Sequence, residues 1–278
     1  MDAPPLGPLA TPHVTNRTRI LRALLIGISL ALLVGWLSST PPGALGKADA
    51  IGYAVCHRIE VRSFHLGDRP LPLCARCTGM YLGTLLAVGT FLGLGRRRAG
   101  SFPAWPYLAL LGLFAAAWAI DGVNSYLSLF PRLPHLYEPN NVLRMLTGTL
   151  LGLGMGTLVY TGFNQTVWRT WDQEAPIRRP GDLLWLLGLS ILLIAVVLTE
   201  NPLVLYPLAL LSGLGVLGLL TTVYTMILLL LFGRDNRADG WKDLRWPLLA
   251  GFVLALAQIA LFDLARLWWT GTWSGFAI

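Results

Sequence analysis

The chain has 278 residues, of which 55% are hydrophobic and only 13% are charged. A globular surface in water normally needs about a quarter of its residues charged, so this composition excludes an ordinary water-soluble domain. The formal net charge is +7, but the 21 basic residues fall in short groups between hydrophobic runs, which argues against a face that binds nucleic acid. The composition predicts an integral membrane protein whose main partner is the lipid bilayer, with no nucleic acid among its ligands.

Seven hydrophobic runs follow one another along the chain, each long enough to cross a bilayer as a helix, which needs about 17 to 25 residues. Residues 1–18 precede them, are rich in proline and small residues, and are expected to form a disordered cytoplasmic tail. The first run follows arginines, as a signal peptide does, but it is long and lacks a small-residue cleavage site, so we interpret it as an uncleaved helix. The predicted fold class is all-α, a polytopic bundle of about seven transmembrane helices at Ile20–Ser38, Leu73–Leu94, Trp105–Leu127, Val142–Phe163, Leu183–Thr199, Leu203–Phe232 and Pro247–Trp269.

The basic residues predict how this bundle is oriented. Arginine and lysine collect in cytoplasmic loops, and alternate loops of a seven-helix bundle lie on the same side. The N-terminal segment and the loops after the second, fourth and sixth runs are basic, and the loop after the first run is the exception. We therefore expect the N-terminus inside the cell and the C-terminus outside. The groups are Arg17, Arg19 and Arg22; Arg96, Arg97 and Arg98; Arg169, Arg178 and Arg179; Arg234, Arg237, Lys242 and Arg245; and, as the exception, Lys47, Arg58, Arg62 and Arg69.

Glycines recur every four residues in two of the runs. Gly79 and Gly83 lie in the second run, and Gly148, Gly152 and Gly156 lie in the fourth. Small residues at this spacing let helix backbones approach closely in lipid. The pattern predicts helix packing, since the strand-turn-helix setting of a phosphate-binding glycine loop is missing.

The three cysteines of the chain lie close together in the sequence and give the strongest chemical signal. Cys56 is followed directly by His57, and sixteen residues later Cys74 and Cys77 form a C-x-x-C pair. Three thiolates and one imidazole complete a tetrahedral set suited to zinc or a similar divalent metal, with His65 as the alternative fourth ligand. Two other interpretations stay open, because the loop from about residue 40 to 72 is expected outside the cell, where a redox-active thiol pair or a structural disulfide is also reasonable.

Ionisable residues within the apolar runs are the second signal, because a charge near hydrocarbon costs about 2.5 to 3.5 kcal/mol unless a partner compensates it. Asp121 lies toward the outer end of the third run and Arg144 lies one turn into the fourth, so the two could pair across the hairpin of these helices. We predict a polar pocket beside the Cys/His site that takes a lipid-linked or small-molecule ligand. The candidate catalytic or binding residues are Arg76, Asp121, Asn141 and Arg144, with Asn124 and Asn140 at the rim.

A structural explanation of the same charges stays open beside the functional one. Helix ends tolerate charge far better than the bilayer centre, so Asp121 and Arg144 are equally well explained as an interfacial ion pair. For Asp263 and Arg266, one turn apart in the seventh run, we favour this structural explanation. Whether the protein is an enzyme, a redox protein, a transporter or an accessory subunit is left open by these residues.

A longer pattern surrounds these residues: Cys56-His57, Arg62-Ser63-Phe64, Cys74-Ala75-Arg76-Cys77-Thr78-Gly79-Met80-Tyr81-Leu82-Gly83, Asp121-Gly122 and Asn141-x-x-Arg144-x-x-Thr147-Gly148. Over about Ile51 to Gly156 the pattern resembles the signature of a prokaryotic family of predicted membrane proteins, domain of unknown function 2085. The resemblance implies a protein of the prokaryotic plasma membrane and brings no established reaction. It also suggests a division into a family-like membrane region at 19–163 and a three-helix membrane region at 164–278.

Overall fold

The fold is all-α, as the hydrophobic runs predict. A computed structural model describes residues 16–130 and 133–275, and every structural statement below refers to these residues. In chain order the elements are α1 (Asn16–Ser39), α2 (Gly43–Val55), a single 3₁₀ turn (Glu60–Arg62), β1 (His65–Leu66), β2 (Arg69–Pro70), α3 (Ala75–Gly93), α4 (Trp105–Leu127), α5 (Asn141–Val167), α6 (Pro180–Leu198), α7 (Pro202–Leu231) and α8 (Arg245–Thr270).

All seven hydrophobic runs form helices, and the observed bounds lie within a few residues of the predicted ones. Six of the described helices, α1 and α4 to α8, are long and apolar enough to cross a membrane. The remaining long helix, α3, is less apolar, since its first turn carries Arg76 and its buried side carries glycine and threonine. Its 19 residues still extend about 28 Å, close to the thickness of the hydrocarbon core. We therefore regard α3 as the interior helix of a seven-helix bundle.

Glycines set the contact between α3 and α5, the most extensive helix contact in the described chain. A Cβ atom added at Gly148 would collide with the carbonyl oxygen of Arg76, and one added at Gly152 would collide with that of Met80. Arg76 and Met80 follow each other by one turn along α3, as Gly148 and Gly152 do along α5. The contacts therefore run in the same chain direction on both helices, so α3 and α5 are parallel. The predicted role of the glycine spacing in close helix packing is confirmed.

The other helices surround this central pair. α4 and α6 pack against α5, and α7 covers α3 on another side. α8 packs along α7, and α1 packs against α8. The connection between α6 and α7 is short, and such a connection is typical of two helices that pack as an antiparallel hairpin. In the structure, however, α6 contacts α3 and α5 more than it contacts α7. Connection length alone therefore did not decide which neighbours α6 packs against.

The segment between the first two long helices is more ordered than the sequence suggests. The sequence indicates a loop at about residues 40–72, but α2 and the β1–β2 hairpin occupy much of it. α2 has 13 residues, too few to cross a bilayer, and packs against α7 and α8. The N-terminal tail expected at 1–18 lies mostly outside the described residues, which begin at Asn16, already the first residue of α1.

The long helices end on two faces of the bundle. On the first, here called the triad face, lie the C-terminal ends of α1, α2, α4, α6 and α8 and the N-terminal ends of α3, α5 and α7. On the opposite face, here called the basic face, parallel backbone pairings join Ala99 to Asp172 and Trp168 to Ala238. The loops of the basic face carry the arginine groups that follow the second, fourth and sixth hydrophobic runs. The first residue of α1 and the last residue of α8 therefore lie on opposite faces.

Candidate metal centre

Two helix ends bring the cysteines together on the triad face. Cys56 caps the C-terminus of α2, and its N–H donates to the carbonyl of Gly52 over 2.8 Å. Cys74 is the N-cap residue of α3, and Cys77 follows in the first turn. Gly52 lies so close to the carbonyl group of Pro72 that a Cβ atom there would collide with it. This close approach sets Cys56 beside the start of α3.

The three sulfur atoms form a compact group, here called the cysteine triad. The Sγ atoms of Cys56, Cys74 and Cys77 all lie within 4.8 Å of one another, and all three are free thiols. Cys56 and Cys74 are buried and belong to an apolar cluster that includes Leu73 and Val216. Two sulfurs bound to one zinc ion at about 2.3 Å each lie less than about 4.6 Å apart. The three sulfurs therefore lie at close to the spacing that one metal ion would require.

Cys56 is the hydrogen-bond acceptor of the triad. The backbone N–H groups of Cys74 and Arg58 point to its sulfur at 3.4 and 3.5 Å. Hydrogen bonds from the thiols of Cys74 and Cys77 hold the pKa of Cys56 well below its usual value. Because Cys74 donates in this contact, the hydrogen bond to Cys56 raises the pKa of Cys74 to about 12. These hydrogen bonds favour the thiolate form at Cys56 over the thiolate form at Cys74.

Neither predicted histidine ligand joins the triad, which among the described residues is a group of cysteines alone. Nδ1 of His57 accepts the N–H of Ile59 over 3.1 Å, so a neutral ring carries its proton on Nε2 and has no free lone pair for a metal. Burial lowers the pKa of His57, which keeps the ring neutral. Nε2 of His65, on β1, lies 3.9 Å from a carboxylate oxygen of Glu60. The backbone at Cys56 is extended, so the side chains of Cys56 and His57 point in opposite directions.

Arg76 pairs with Asp121 at the edge of the triad. Nε of Arg76 donates to Oδ2 of Asp121 over 3.0 Å, and Nη2 donates to the same oxygen. The predicted pair between Asp121 and Arg144 is therefore wrong. The backbone of α3 at Arg76 lies directly against Gly148 of α5. With α3 in this position, the side chain of Arg76 reaches the carboxylate of Asp121.

Two further arginines are buried beside this pair. Arg62 is 8% exposed, and its Nη2 donates to the carbonyl of Ser125 over 2.9 Å. Nη2 of Arg76 donates to the hydroxyl of the same serine over 2.9 Å, so the two guanidinium groups meet there. Arg144 is 6% exposed, and its Nη1 donates to Oδ1 of Asn141 over 2.8 Å. Arg62, Arg76 and Arg144 are here called the guanidinium cluster.

The asparagines predicted to rim a pocket instead fasten the segments that cover the site. Asn124 donates to the carbonyl of Tyr137 over 2.9 Å, and the hydroxyl of Tyr137 donates to Oδ1 of Asp121 over 2.9 Å. Asn140 caps α5 by accepting a backbone N–H. Nδ2 of Asn141 points to two carbonyl oxygens in the segment around the 3₁₀ turn, at 3.3 and 3.4 Å. These contacts hold the segments around the site in position.

An acidic residue of α2 holds the segment between α2 and α3 in place, and sequence reasoning missed it. Asp49 is buried and forms ion pairs with Arg58, at 2.9 Å, and with Arg69. Both arginines belong to the basic group that counted against the predicted orientation. Because α2 itself was not predicted, no local spacing indicated this contact.

Asp263 and Arg266 both make hydrogen bonds beside the triad. Oδ2 of Asp263 accepts the indole N–H of Trp36 over 3.0 Å. Nη1 of Arg266 donates to the carbonyl oxygens of Tyr53 and Cys56 over 2.7 and 2.6 Å. Arg266 therefore satisfies carbonyl groups at the end of α2, next to a triad sulfur.

Comparisons with known proteins match the part of the chain that carries this site. The family described as Predicted membrane protein (DUF2085) matches residues 56–158. An uncharacterized protein of the archaeon Methanothermobacter thermautotrophicus is 36% identical over 104 residues, which are 37% of this chain and 83% of the relative. No solved structure gives a significant match. The matched segment agrees with the resemblance seen over about residues 51–156, and it contains the cysteine triad, the guanidinium cluster and Asp121.

Proposed function

This chain belongs to the DUF2085 family of predicted membrane proteins, and we propose that its cysteine triad binds a metal ion, with zinc as the favoured ion. The observation that carries the proposal is the mutual approach of the Sγ atoms of Cys56, Cys74 and Cys77 within 4.8 Å. A disulfide uses two sulfurs, whereas convergence of three is what a thiolate-bound metal requires. Zinc favours tetrahedral sites with sulfur ligands and is the commonest ion in them.

The surroundings of the triad support a thiolate-bound metal. Three thiolates and one Zn²⁺ carry a net charge of −1, and the guanidinium cluster lies beside them with a positive charge. The start of α3 adds the partial positive charge of a helix N-terminus at Cys74. The apolar cluster around Cys56 and Cys74 limits competition from water. The positive charges of the guanidinium cluster and of the helix N-terminus favour thiolate over thiol.

The triad leaves one tetrahedral position for a ligand other than cysteine. Three protein ligands and one open position are typical of catalytic zinc, whereas structural sites have four. A cavity of about 430 Å³ between α2 and α8 has Cys56 and His57 in its wall. A metal in this position would activate a bound water for hydrolysis. Arg76, Asp121, Asn141 and Arg144 are the candidates to orient a lipid-linked or phosphorylated substrate.

We place the triad face outside the cytoplasm of a prokaryotic cell, in the plasma membrane. The arginine groups of three loops lie on the basic face, and such loops stay in the cytoplasm. The arginines of the triad face include Arg58 and Arg69, which are paired with Asp49, and Arg62, which is buried. These three count less toward orientation than free surface charges, which strengthens the assignment of the N-terminus to the inside.

Metal analysis of the purified full chain tests the proposed centre. We expect close to one zinc ion per chain in the unmutated protein, and a loss of most of it in a Cys74→Ser, Cys77→Ser variant, because one remaining thiolate cannot hold the ion. His65→Ala is the control and should retain the zinc. Absence of stoichiometric metal from the unmutated protein contradicts the proposal.

A thiol redox protein is the second candidate, because Cys74 and Cys77 form a C-x-x-C pair at the N-terminus of α3, a place typical of redox-active cysteines. The raised pKa of Cys74 counts against it. This candidate predicts a reversible disulfide between Cys74 and Cys77. Thiol trapping in intact cells, before and after treatment with a reductant, separates the two candidates. A metal-bound triad stays reduced throughout, whereas a redox pair changes state.

A further inference from the structure

The guanidinium cluster carries more positive charge than its described neighbours neutralise. Arg62 and Arg144 are both more than nine-tenths buried, and Arg76 is half-buried. Asp121 is the carboxylate bonded to this cluster, and it is engaged by Arg76. A surplus of two positive charges therefore remains, and buried charge is costly unless it is paired. The proposed metal centre, with a net charge of −1, would offset only half of that surplus.

The three guanidinium groups converge on one place. Those of Arg62 and Arg76 meet at Ser125, where one donates to the carbonyl oxygen and the other to the hydroxyl oxygen. Asn141 connects the guanidinium group of Arg144 to the segment that carries Arg62. Its Oδ1 accepts a hydrogen bond from Arg144, and its Nδ2 points to carbonyl oxygens on both sides of Arg62. α3 and α5 also begin here, and helix N-termini attract anions.

The cluster has unused hydrogen-bond donors. A guanidinium group offers five N–H donors in a planar fork. Nε of Arg144 is buried and has no hydrogen-bond partner among the described protein atoms. Within the same residues, the Arg62 side chain donates only to the carbonyl of Ser125. Orphaned buried donors are rare in native proteins, and a bound ligand is one of their ordinary explanations.

We propose that Arg62 and Arg144 bind an oxyanion of the phosphate class, next to the cysteine triad. Phosphate oxygens accept from two guanidinium forks at once, and arginine recognises them in a bidentate geometry. The side chain of Arg76 keeps 14% exposure, so the site borders the surface of the triad face. The oxyanion would be the substrate class of the proposed metal centre, and the inference rests on the proposed function only for this role, because the surplus charge and the unused donors are present without a metal. The phosphate group belongs either to a lipid headgroup or to a soluble anion.

The test uses the purified full chain in a phosphate-free maltoside detergent, with zinc loaded and with zinc removed. Inorganic phosphate is one probe, and dioleoylphosphatidylglycerol in mixed micelles is the other. Calorimetry and the shift in melting temperature report binding. We expect saturable binding that Arg144→Gln weakens about tenfold to a hundredfold, the effect of losing one charge-assisted hydrogen bond. Arg169→Gln removes the same charge on the basic face and should leave the affinity unchanged.

The outcomes separate the ligand source and the metal. Binding of phosphate alone assigns a soluble anion, and binding of the lipid alone assigns a headgroup. If neither probe binds the unmutated protein in either metal state, or if Arg144→Gln binds as tightly as the unmutated protein, the anion site is overturned even when zinc is stoichiometric. If Arg144→Gln does not fold, Arg144→Lys and Arg62→Gln replace it, and each must weaken binding. Anion binding without stoichiometric zinc would instead overturn the metal centre alone.

Discussion

At the scale of single residues, burial decides how much a charged pair matters. Asp121 is 1% exposed and accepts hydrogen bonds from Arg76 and Tyr137. Glu138, in the following loop, pairs with His135, but its side chain is 90% exposed. An exposed pair contributes about 0 to 1 kcal/mol, whereas removal of one partner from a buried pair costs about 3 to 5 kcal/mol. The two acids therefore give a matched comparison.

Replacement of Asp121 by asparagine should strongly destabilise the fold. The change leaves Arg76 without a carboxylate beside two other buried arginines, and we expect the free energy of unfolding to fall by about 3 to 5 kcal/mol. Thermal unfolding of the purified protein in detergent measures the effect. Glu138→Gln makes the same chemical change at an exposed site and should alter stability by less than about 0.5 kcal/mol. Equal effects of the two substitutions would contradict the assigned role of Asp121.

At the scale of elements, the parallel contact of α3 and α5 positions the site. The contact carries Arg76 from the first turn of α3 to the Asp121 carboxylate and places Arg144 beside the start of α3. Glycines make it feasible, because Gly148 and Gly152 let the α3 backbone approach α5 directly. α2 contributes from the other side, through Gly52 and the carbonyl group of Pro72. The cysteine triad and the guanidinium cluster therefore depend on backbone contacts between helices.

Replacement of Gly152 by isoleucine should separate α3 from α5. The new side chain would meet the backbone of α3 at Met80, which cannot rotate away, so we expect a loss of about 3 kcal/mol or failure to fold. Gly188→Ile in α6 is the control, since nothing lies within 4 Å of a Cβ atom there. Size-exclusion behaviour and melting temperature in detergent measure both variants. A Gly152→Ile protein as stable as Gly188→Ile would show that the close contact is dispensable.

At the scale of the whole molecule, α3 decides the number of membrane crossings. Six described helices satisfy the length and hydropathy expected of a span, and a bundle of six would put both ends of the chain on one side. α3 is less apolar because it faces other helices, but it runs parallel to α5 between the two faces. The structure therefore favours seven crossings, with α1 beginning on the face opposite to the end of α8.

Reporter fusions in a bacterial host test this arrangement. We expect alkaline phosphatase fused after the C-terminus to be active and green fluorescent protein at the same position to be dark, because the proposed orientation puts the C-terminus outside. Green fluorescent protein at the N-terminus should fluoresce. Both termini on the same side would contradict seven crossings, and the reverse pattern would contradict the orientation.

The sequence by itself determined the all-α class, the seven long helices, the glycine contact and the identity of the three cysteines. Each of these follows from local length, spacing or composition, which the chain carries without its tertiary structure. Only the tertiary structure decided which partners meet. It paired Asp121 with Arg76 instead of Arg144, placed His57 and His65 outside the triad, and showed that Asp49 and α2 hold the segment between α2 and α3. Such choices depend on how closely helices far apart in the sequence pack, and at Gly52 and Gly148 a missing Cβ atom set that distance.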